Sequence, residues 1–324
     1  MTYTSIHGKR FGFNENGLLF NGRPVGAVPQ AYGFGNTYYV DSGVGGSDGT
    51  SPETAVGTLE AALNKCTASQ GDLILVLPGH AESIVSATAL NFDIAGVRIV
   101  GLGEGSDRPT FTFTTANTAT IPVSAANIKI ENCIFIGNFL SIASCFTVAA
   151  APEFWIDGCS FRDTDATHGF LSIVTTTVSV NADGLRYTNN NRKSDATTSP
   201  GPDLVIAGTM SRLKVNYNKS LHTVASNNVA ALIEHGALVM TDAEVIGNLV
   251  HSVNTDTATG AILVKTTATT GSGIVAHNRI KALDVAAAIV VTAAAVQYGM
   301  FDNLYTGETT LLSGFVLPAI ATDA

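Results

Sequence analysis

Three carboxylates recur at a fixed interval: Glu131, Asp157 and Asp183 lie 26 residues apart. Residues at a constant interval stack when a chain winds into coils one strand spacing apart. At about 4.8 Å per coil, neighbouring carboxylates come to about 5 Å, the separation that retaining glycosidases use. A column of that kind can also hold Ca²⁺. A lyase would need a basic residue beside the acids. Lys129 and Arg186 are the cations at hand, but they do not stack with one another. Trp155 is the only tryptophan, and the other outward columns are mostly Asn, Ser, Thr and Ala. That is a poor lining for a sugar groove. Outward positions beside a strand corner are polar in any β fold, so the expectation is a structural column without catalysis.

The other candidates are weaker. Asp41 and Asp48 flank a glycine-rich stretch, DSGVGGSDGT. An EF-hand loop needs acids at alternate positions and a closing Glu, and neither is present. His80 and Glu82 in LPGHAES can face one another, but no third metal ligand accompanies them. The seven histidines are scattered, and no Ser-His-Asp or Cys-His arrangement assembles locally. The four cysteines (66, 133, 145 and 159) lack the short spacing of a zinc site and read as small buried apolar residues. The expectation is no catalytic residue, no cofactor and no metal.

The elements that would position these residues follow from a repeat. IKIENCIFIG (128–137), FWIDGCSFRD (154–163) and VNADGLRYTN (180–189) align without gaps. Their apolar columns agree: Ile130 with Ile156 and Ala182, Cys133 with Cys159 and Leu185, Phe135 with Phe161 and Tyr187. Alternation of this kind marks strands with one buried face. The phase slips at Asn132, Gly158 and Gly184, residue types that tolerate a left-handed backbone. Asn218, Asn248, Asn278 and Asn303 sit in similar settings further on, each preceded by a second apolar run. Short strands in fixed order, repeated every 25–30 residues with corners at Asn or Gly, describe a solenoid. The fold class expected is all-β, a right-handed parallel β-helix, with Ile130, Phe135, Ile156, Phe161 and Tyr187 in its core.

Two segments precede it. Residues 37–71 form a cap. Ser51-Pro52-Glu53 there reads as a helix start, and Val56, Leu59, Leu63 and Cys66 share one face, which predicts one short helix over about 53–66. Residues 1–36 form an arm. Asn14-Glu15-Asn16-Gly17 between RFGF and LLF predicts a hairpin, because Asn-Gly supplies the positive φ of a tight turn. The arm holds Lys9, Arg10 and Arg23 against Glu15, a charge of +2 where the whole chain carries −9. Phe11, Phe13, Leu18, Leu19 and Phe20 give it more apolar surface than an isolated hairpin buries, which marks a docking element. The solenoid is expected over 72–306, and the tail 307–324 at its far end.

Composition excludes several classes. With 45% hydrophobic and 13% charged residues the chain is too apolar for disorder. At net −9 it lacks the basic footprint of a nucleic-acid binder. No apolar run approaches the roughly 18 residues of a membrane span, and the N-terminal residues show no apolar signal region. Neither nucleic acid nor membrane is expected as a partner.

YYVDSGVGGSDGTSPETAVGTLEAALNKC, then GDLILVLPGHAESI and VRIVGLGEG, resembles the opening of right-handed β-helix proteins of tailed phages. The likeness covers about residues 37–105, and its layout is similar to that of capsid decoration (cement) proteins. The resemblance implies a non-enzymatic virion structural protein. It would be made in the bacterial cytoplasm and carried on the capsid exterior. It would assemble as a homotrimer and contact the major capsid protein through Lys9, Arg10, Phe11, Phe13, Leu18, Leu19, Phe20 and Arg23. Polysaccharide-cleaving β-helix enzymes share the cap motif, so a tailspike-type depolymerase or a glycan-binding adhesin stands as the alternative.

Overall fold

The computed structural model describes residues 2–6, 9–14, 17–20, 23–24, 35–178, 181–195, 201–223, 232–236, 239–252, 261–266, 271–282, 288–291 and 296–306. Side chains of the arm, and of parts of the last coils, lie outside that description.

Short strands whose alternate residues are apolar can bury one face only by stacking on copies of themselves. From residue 37 to residue 306 the chain does this in three parallel sheets of eleven, nine and seven strands. The first sheet runs from Thr37–Val40 and Leu73–Val76 through Arg98–Gly101, Lys129–Glu131, Trp155–Asp157, Arg186–Thr188 and Lys214–Asn216. It ends with Met240–Ile246, Gly271–Ala276 and Val296–Phe301. The second sheet includes Thr110–Phe113, Ile134–Gly137, Ser160–Asp163, Asn191–Ser194 and Lys219–His222, and ends at Leu304–Thr306. The third begins at Ile121–Val123 and Phe146–Val148. Each coil visits the three in the same order. The molecule is a parallel β-helix, and right-handed crossovers are the rule for parallel strands.

The interior is a continuous apolar column. Ile130, Phe135, Ile156, Phe161 and Tyr187 are fully buried. Phe135 pairs in register with Phe111 and Phe161, and the Phe135 and Phe161 rings stack 5.2 Å apart at 12°. Cys133, Cys145 and Cys159 are buried free thiols, and Cys66 is half-buried. Burial pushes the Cys159 thiol up to about 12.

The third segment of the repeat departs from its expected register. Lys129–Glu131 pairs with Trp155–Asp157 at the 26-residue interval. The next coil is longer: Ile156 pairs with Tyr187, and Asp157 with Thr188. Tyr187 therefore belongs to the first sheet. Its ring reaches that of Phe161 at 6.1 Å from the side rather than from the next rung. The residue under Phe161 is Arg192. The reason is five extra residues between Asp163 and Tyr187. Gly184, with φ +75°, turns the corner before the first sheet, whereas Asn132 and Gly158 turn the corner after it.

Arg192 and Asp203 place an ion pair inside the solenoid. Nη1 of Arg192 donates to Asp203 Oδ1 at 3.0 Å, and both side chains are almost wholly buried. Nη1 also donates to the Gly201 carbonyl and Nη2 to the Phe170 carbonyl, each at 2.9 Å. Tyr187 and Ser220 donate to the carboxylate, and Ser220 contacts His222 at 3.1 Å. Burial pushes Asp203 up and the guanidinium pulls against it. Burial, then Arg192, hold the His222 imidazole well below its ordinary value.

The cap differs in detail from its prediction. Ser51 caps a single 3-10 turn, Pro52–Thr54, and the chain leaves helical geometry at Ala55. Thr58 then caps a separate helix, Leu59–Leu63, with its Oγ1 accepting from Ala61 N. Val56 is buried but not helical; it bridges to Val40. The sheet begins inside the cap segment, since Thr37–Val40 pairs with Leu73–Val76. The arm is a four-stranded antiparallel meander, Thr2–Ile6, Lys9–Asn14, Gly17–Phe20 and Arg23–Pro24. Asn14 pairs with Gly17, as the hairpin reading requires. The docking side chains (Lys9, Arg10, Phe11, Phe13, Leu18, Leu19, Phe20 and Arg23) and the tail 307–324 lie outside the described residues.

Phe161→Ala removes a ring between Phe135 and Arg192. It should cost about 3–5 kcal/mol in chemical denaturation. Arg192→Met strips the partner from a buried carboxylate and should also cost about 3–5 kcal/mol, and Arg192→Met with Asp203→Leu should recover most of the loss. The depressed His222 fixes the sign of a pH effect. Above about pH 6.5 the imidazole is neutral in both states and contributes nothing. Below it the unfolded chain takes a proton that the folded one refuses. Stability should fall with falling pH by up to about 1.4 kcal/mol per unit, and His222→Leu should flatten that slope in melts taken between pH 7.5 and 5.

Candidate functional site

The outer face of the first sheet carries the residues with chemistry. Strand alternation sends Ile130 and Ile156 inward and leaves their neighbours outside. Register then stacks Arg98, Lys129, Trp155, Arg186 and Lys214 in one outward column. The second outward column is Val100, Glu131, Asp157, Thr188 and Asn216. The structure brings Glu131 and Asp157 together, as the repeat implied, but not Asp183. The longer coil puts Thr188 on that rung. Asp183 sits at the preceding corner, where its Oδ1 accepts from Ser211 N at 2.7 Å.

The carboxylates are held by cations from their own and neighbouring coils. Lys129 Nζ lies 2.9 Å from Glu131 and 3.2 Å from Asp157. Arg98 Nε donates to Glu131 from the coil before. Asp157 Oδ1 accepts from Thr188 Oγ1 and Asn189 Nδ2, both at 2.8 Å. Partial burial pushes Asp157 up, but the hydrogen bonds from Asn189, Thr188 and Lys129 outweigh it and hold the carboxyl below its usual value. Lys129 Nζ also lies 3.3 Å from the centroid of the Trp155 ring, and the Arg186 guanidinium is 5.4 Å from it. The indole N–H donates to Thr188 Oγ1 at 2.7 Å.

The ladder continues. Arg186 Nη2 is 2.7 Å from Glu153 Oε2, Arg212 pairs with the other oxygen of Glu153, and Lys214 Nζ is 3.0 Å from Glu244. Gly184 makes room for this bridge. A Cβ there would lie 2.4 Å from the Glu153 carboxylate, and the φ of +75° disfavours any side chain.

This arrangement does not favour Asp157 as a general acid. A general acid needs a raised pKa, and Asp157 is held the other way. Lys129 Nζ is held between two carboxylates. As a binding surface the face has a directional property. Four of the five cations lie outermost: the side chains of Arg98, Arg186, Arg212 and Lys214 are 46, 38, 55 and 44% exposed, while Glu131, Asp157, Glu153 and Glu244 are 16, 20, 24 and 33% exposed, and Lys129, at 18%, lies as deep as the acids it bridges. Sequence reading missed Arg98, Glu153 and Arg212, because their pairings cross coils and appear only once the register is right.

The remaining candidates resolve into structure. Asp41 Oδ1 accepts from Gly43 N at 2.8 Å and Asp48 Oδ1 from Thr50 N at 3.1 Å, so both close local turns. His80 does face Glu82, at 3.2 Å. His80 Nδ1 accepts from Ser42 N, and Glu82 accepts from Leu59 N at the start of the helix, so the pair clasps the cap onto the first coil. Among the described residues no three His, Cys, Asp or Glu side chains group as a metal site.

Lys129→Met would leave Glu131 and Asp157 facing each other without the cation between them. The expected cost is about 1 kcal/mol at neutral pH for this partly exposed site. The depressed Asp157 contributes stability above about pH 3.9 that is lost as pH falls through its folded value. The variant's deficit should therefore shrink in acid, which denaturation at pH 7 and pH 3 checks.

No protein-family profile matches the chain, and no curated protein matches it. Solved structures do. A rhamnogalacturonan lyase aligns over 82% of this chain and 87% of its own, at 13% identity and a TM-score of 0.41. A lacto-N-biosidase from Eubacterium ramulus aligns over 84% and 68%, at 8% identity and 0.38. A pectate lyase aligns over 87% and 83%, at 12% identity and 0.33.

Proposed function

We propose that the chain is a non-catalytic glycan-binding β-helix, which presents the outer face of its first sheet to an acidic polysaccharide. The observation that carries this reading is the depth ordering of the charges. A protein of net −9 turns a strip of Arg98, Arg186, Arg212 and Lys214 outward over recessed carboxylates, beside its only tryptophan. The recessed acids orient the guanidinium groups and leave other N–H donors facing solvent. A coil ladder of regular pitch offers donors at regular steps, which suits a polymer of repeating units better than a compact ligand. The phage resemblance of residues 37–105 would put such an adhesin on a virion, facing a bacterial surface polysaccharide.

Binding of acidic and neutral polysaccharides tests this. Acidic polymers should be preferred, with affinity falling as salt rises because the contacts are exposed charges. Arg186→Ala with Lys214→Ala should weaken binding at least about tenfold, since each lost charge-assisted contact is worth about 1.5–3 kcal/mol. Neither reducing ends nor unsaturated sugars should be released. Release abolished by Asp157→Asn would replace the adhesin by a depolymerase. Undiminished binding by the double variant would remove this face from the function.

The capsid decoration reading rests on a different observation: an apolar, positively charged arm that forms its own antiparallel sheet, outside the coil repeat. On that reading the arm docks on the major capsid protein and adds binding free energy to the assembled shell. Deleting residues 1–36 should then abolish particle binding and leave a β-rich protein with a cooperative melt. Hundreds of copies per particle would favour decoration, and a few to a dozen or so a tail adhesin.

A further inference from the structure

The second sheet has an outer face of its own. Phe161, Arg192, Ser220, Val250 and Ile280 are buried, so alternation turns their strand neighbours outward. Register stacks those neighbours in two columns. One is Ile136, Arg162, Lys193, Leu221, His251 and Lys281. The other is Asn191, Lys219, Leu249, Arg279 and Leu304. All five cations of these columns are exposed, and no carboxylate stands among them.

The acids at the margins are engaged elsewhere, apart from one. Asp195 binds Lys193 at 2.6 Å. Asp302 lies 3.5 Å from His277, and Asp165 accepts from Thr167 N and contacts His168. Asp163 is buried and accepts from Ser194 Oγ at 2.7 Å and Phe170 N at 3.1 Å. Arg162, Lys219, Arg279 and Lys281 meet no carboxylate among the described residues. Partial burial, then Lys281, push His251 below its ordinary value, so it adds no charge at neutral pH. The first sheet differs on both counts. Its cations are all paired with acids, and past Glu244 its outer columns end in an apolar corner at Ile274 and Phe301.

We propose that the outer face of the second sheet is a track for an acidic glycan lying along the solenoid axis, with its acid groups on alternate sugars. The class of partner rests on the glycan-binding reading above, but the face and the spacing do not. The cations run in line instead of converging. Arg162 and Lys281 are four coils apart, about 19 Å at about 4.8 Å per coil, and the strand ladder uses the backbone amides beneath them. A compact anion needs convergent donors, whereas a chain does not. The column Lys219, Leu249, Arg279, Leu304 alternates cation and apolar residue. An extended glycan advances roughly one coil spacing per sugar, so an acidic sugar over each cation sets a neutral ring over each leucine. The leucines are shorter than the side chains around them and form a floor, not the apolar crest that enters a membrane. A nucleic acid carries charge on every nucleotide, which a protein of net −9 opposes more strongly than it opposes a half-charged glycan.

Titration of the full chain with hyaluronate, which has a carboxylate on every second sugar, tests this. Alginate, with one on every sugar, and neutral dextran are the comparisons. Hyaluronate should bind most tightly, and more weakly as salt rises. Lys219→Ala with Arg279→Ala should weaken it at least about tenfold, and Lys219→Arg with Arg279→Lys should bind as the wild type does. Acetylation of accessible lysines locates the polymer on the unaltered chain: bound hyaluronate should protect Lys219 and Lys281. Protection of Lys214 alone, or loss of binding only in the Arg186→Ala, Lys214→Ala variant, overturns the track and leaves the first-sheet reading standing. Tighter binding of alginate overturns the alternate spacing. Tighter binding of single-stranded DNA or of phosphatidylglycerol vesicles, with the same lysines protected, overturns the glycan. A chain that binds neither acidic polysaccharide overturns both readings.

Discussion

A buried asparagine must place a donor and an acceptor where water cannot reach, and this solenoid is indexed by that requirement. Asn190, Asn218, Asn248 and Asn278 are buried in line at the same corner of successive coils. Each Oδ1 accepts the backbone N–H of its counterpart one coil earlier: Cys159 to Asn190, Asn190 to Asn218, Asn218 to Asn248, Asn248 to Asn278, all at 2.9 Å. Each Nδ2 donates to a carbonyl of the earlier coil, as from Asn218 to Tyr187 at 2.7 Å. A slip of one residue would orphan several buried polar groups at about 1–3 kcal/mol each, and would turn every inward side chain outward. Apolar burial favours stacking in general, while the asparagines select one register. The left-handed residue just before each of them, Asn189, Tyr217, Gly247 and His277, is the local strain of the corner, held by bonds on both sides.

The repeat was legible wherever the loops had equal length. Between residues 128–137 and 154–163 the interval of 26 is the true pairing, and the stacked phenylalanines follow from it. The same interval led astray one coil later, because Tyr187 is an aromatic residue at the right distance for the wrong sheet. Asn190 would have corrected it. In the run Thr188-Asn189-Asn190-Asn191 the ladder asparagine hides among neighbours of similar type, and only the series continuing at Asn218 singles it out. The helix was misjudged for a related reason. Val56 falls on the helical face by spacing, yet a strand bridge uses it, and Thr58 offers a better cap than Ser51 for the residues that follow.

What the sequence could not reveal were interactions that exist only after the register is set. The polar, proline-containing stretch 188–203 reads in sequence as an exposed loop, so nothing there marks Arg192 as an inward strand residue. Inside, it reaches Asp203 at an interval that carries no periodic signal. The outer ladder is similar in kind. Lys129 joins Glu131 on its own strand to Asp157 on the next coil, Glu153 meets both Arg186 and Arg212, and apart from Lys129–Glu131 none of these pairs is local in sequence. The acidic column was legible as a column; its neutralisation was not.

These two sets of charges show how burial divides labour along one wall. The interior pair is isolated from solvent, so its value lies in specifying which coil follows Ser160–Asp163, and a well-packed apolar pair would serve stability as well. The exterior pairs are too exposed to add much stability singly. The pairs of Arg98, Arg186, Arg212 and Lys214 share an order in depth, with carboxylates against the sheet and cations above them. A recessed acid beneath an exposed base holds a long flexible side chain in one orientation, and so lowers the entropy lost when that side chain meets an external anion. On the glycan-binding reading the strip is a preorganised donor surface, and it stops where the apolar corner begins, at the coil where Glu244 gives way to Ile274.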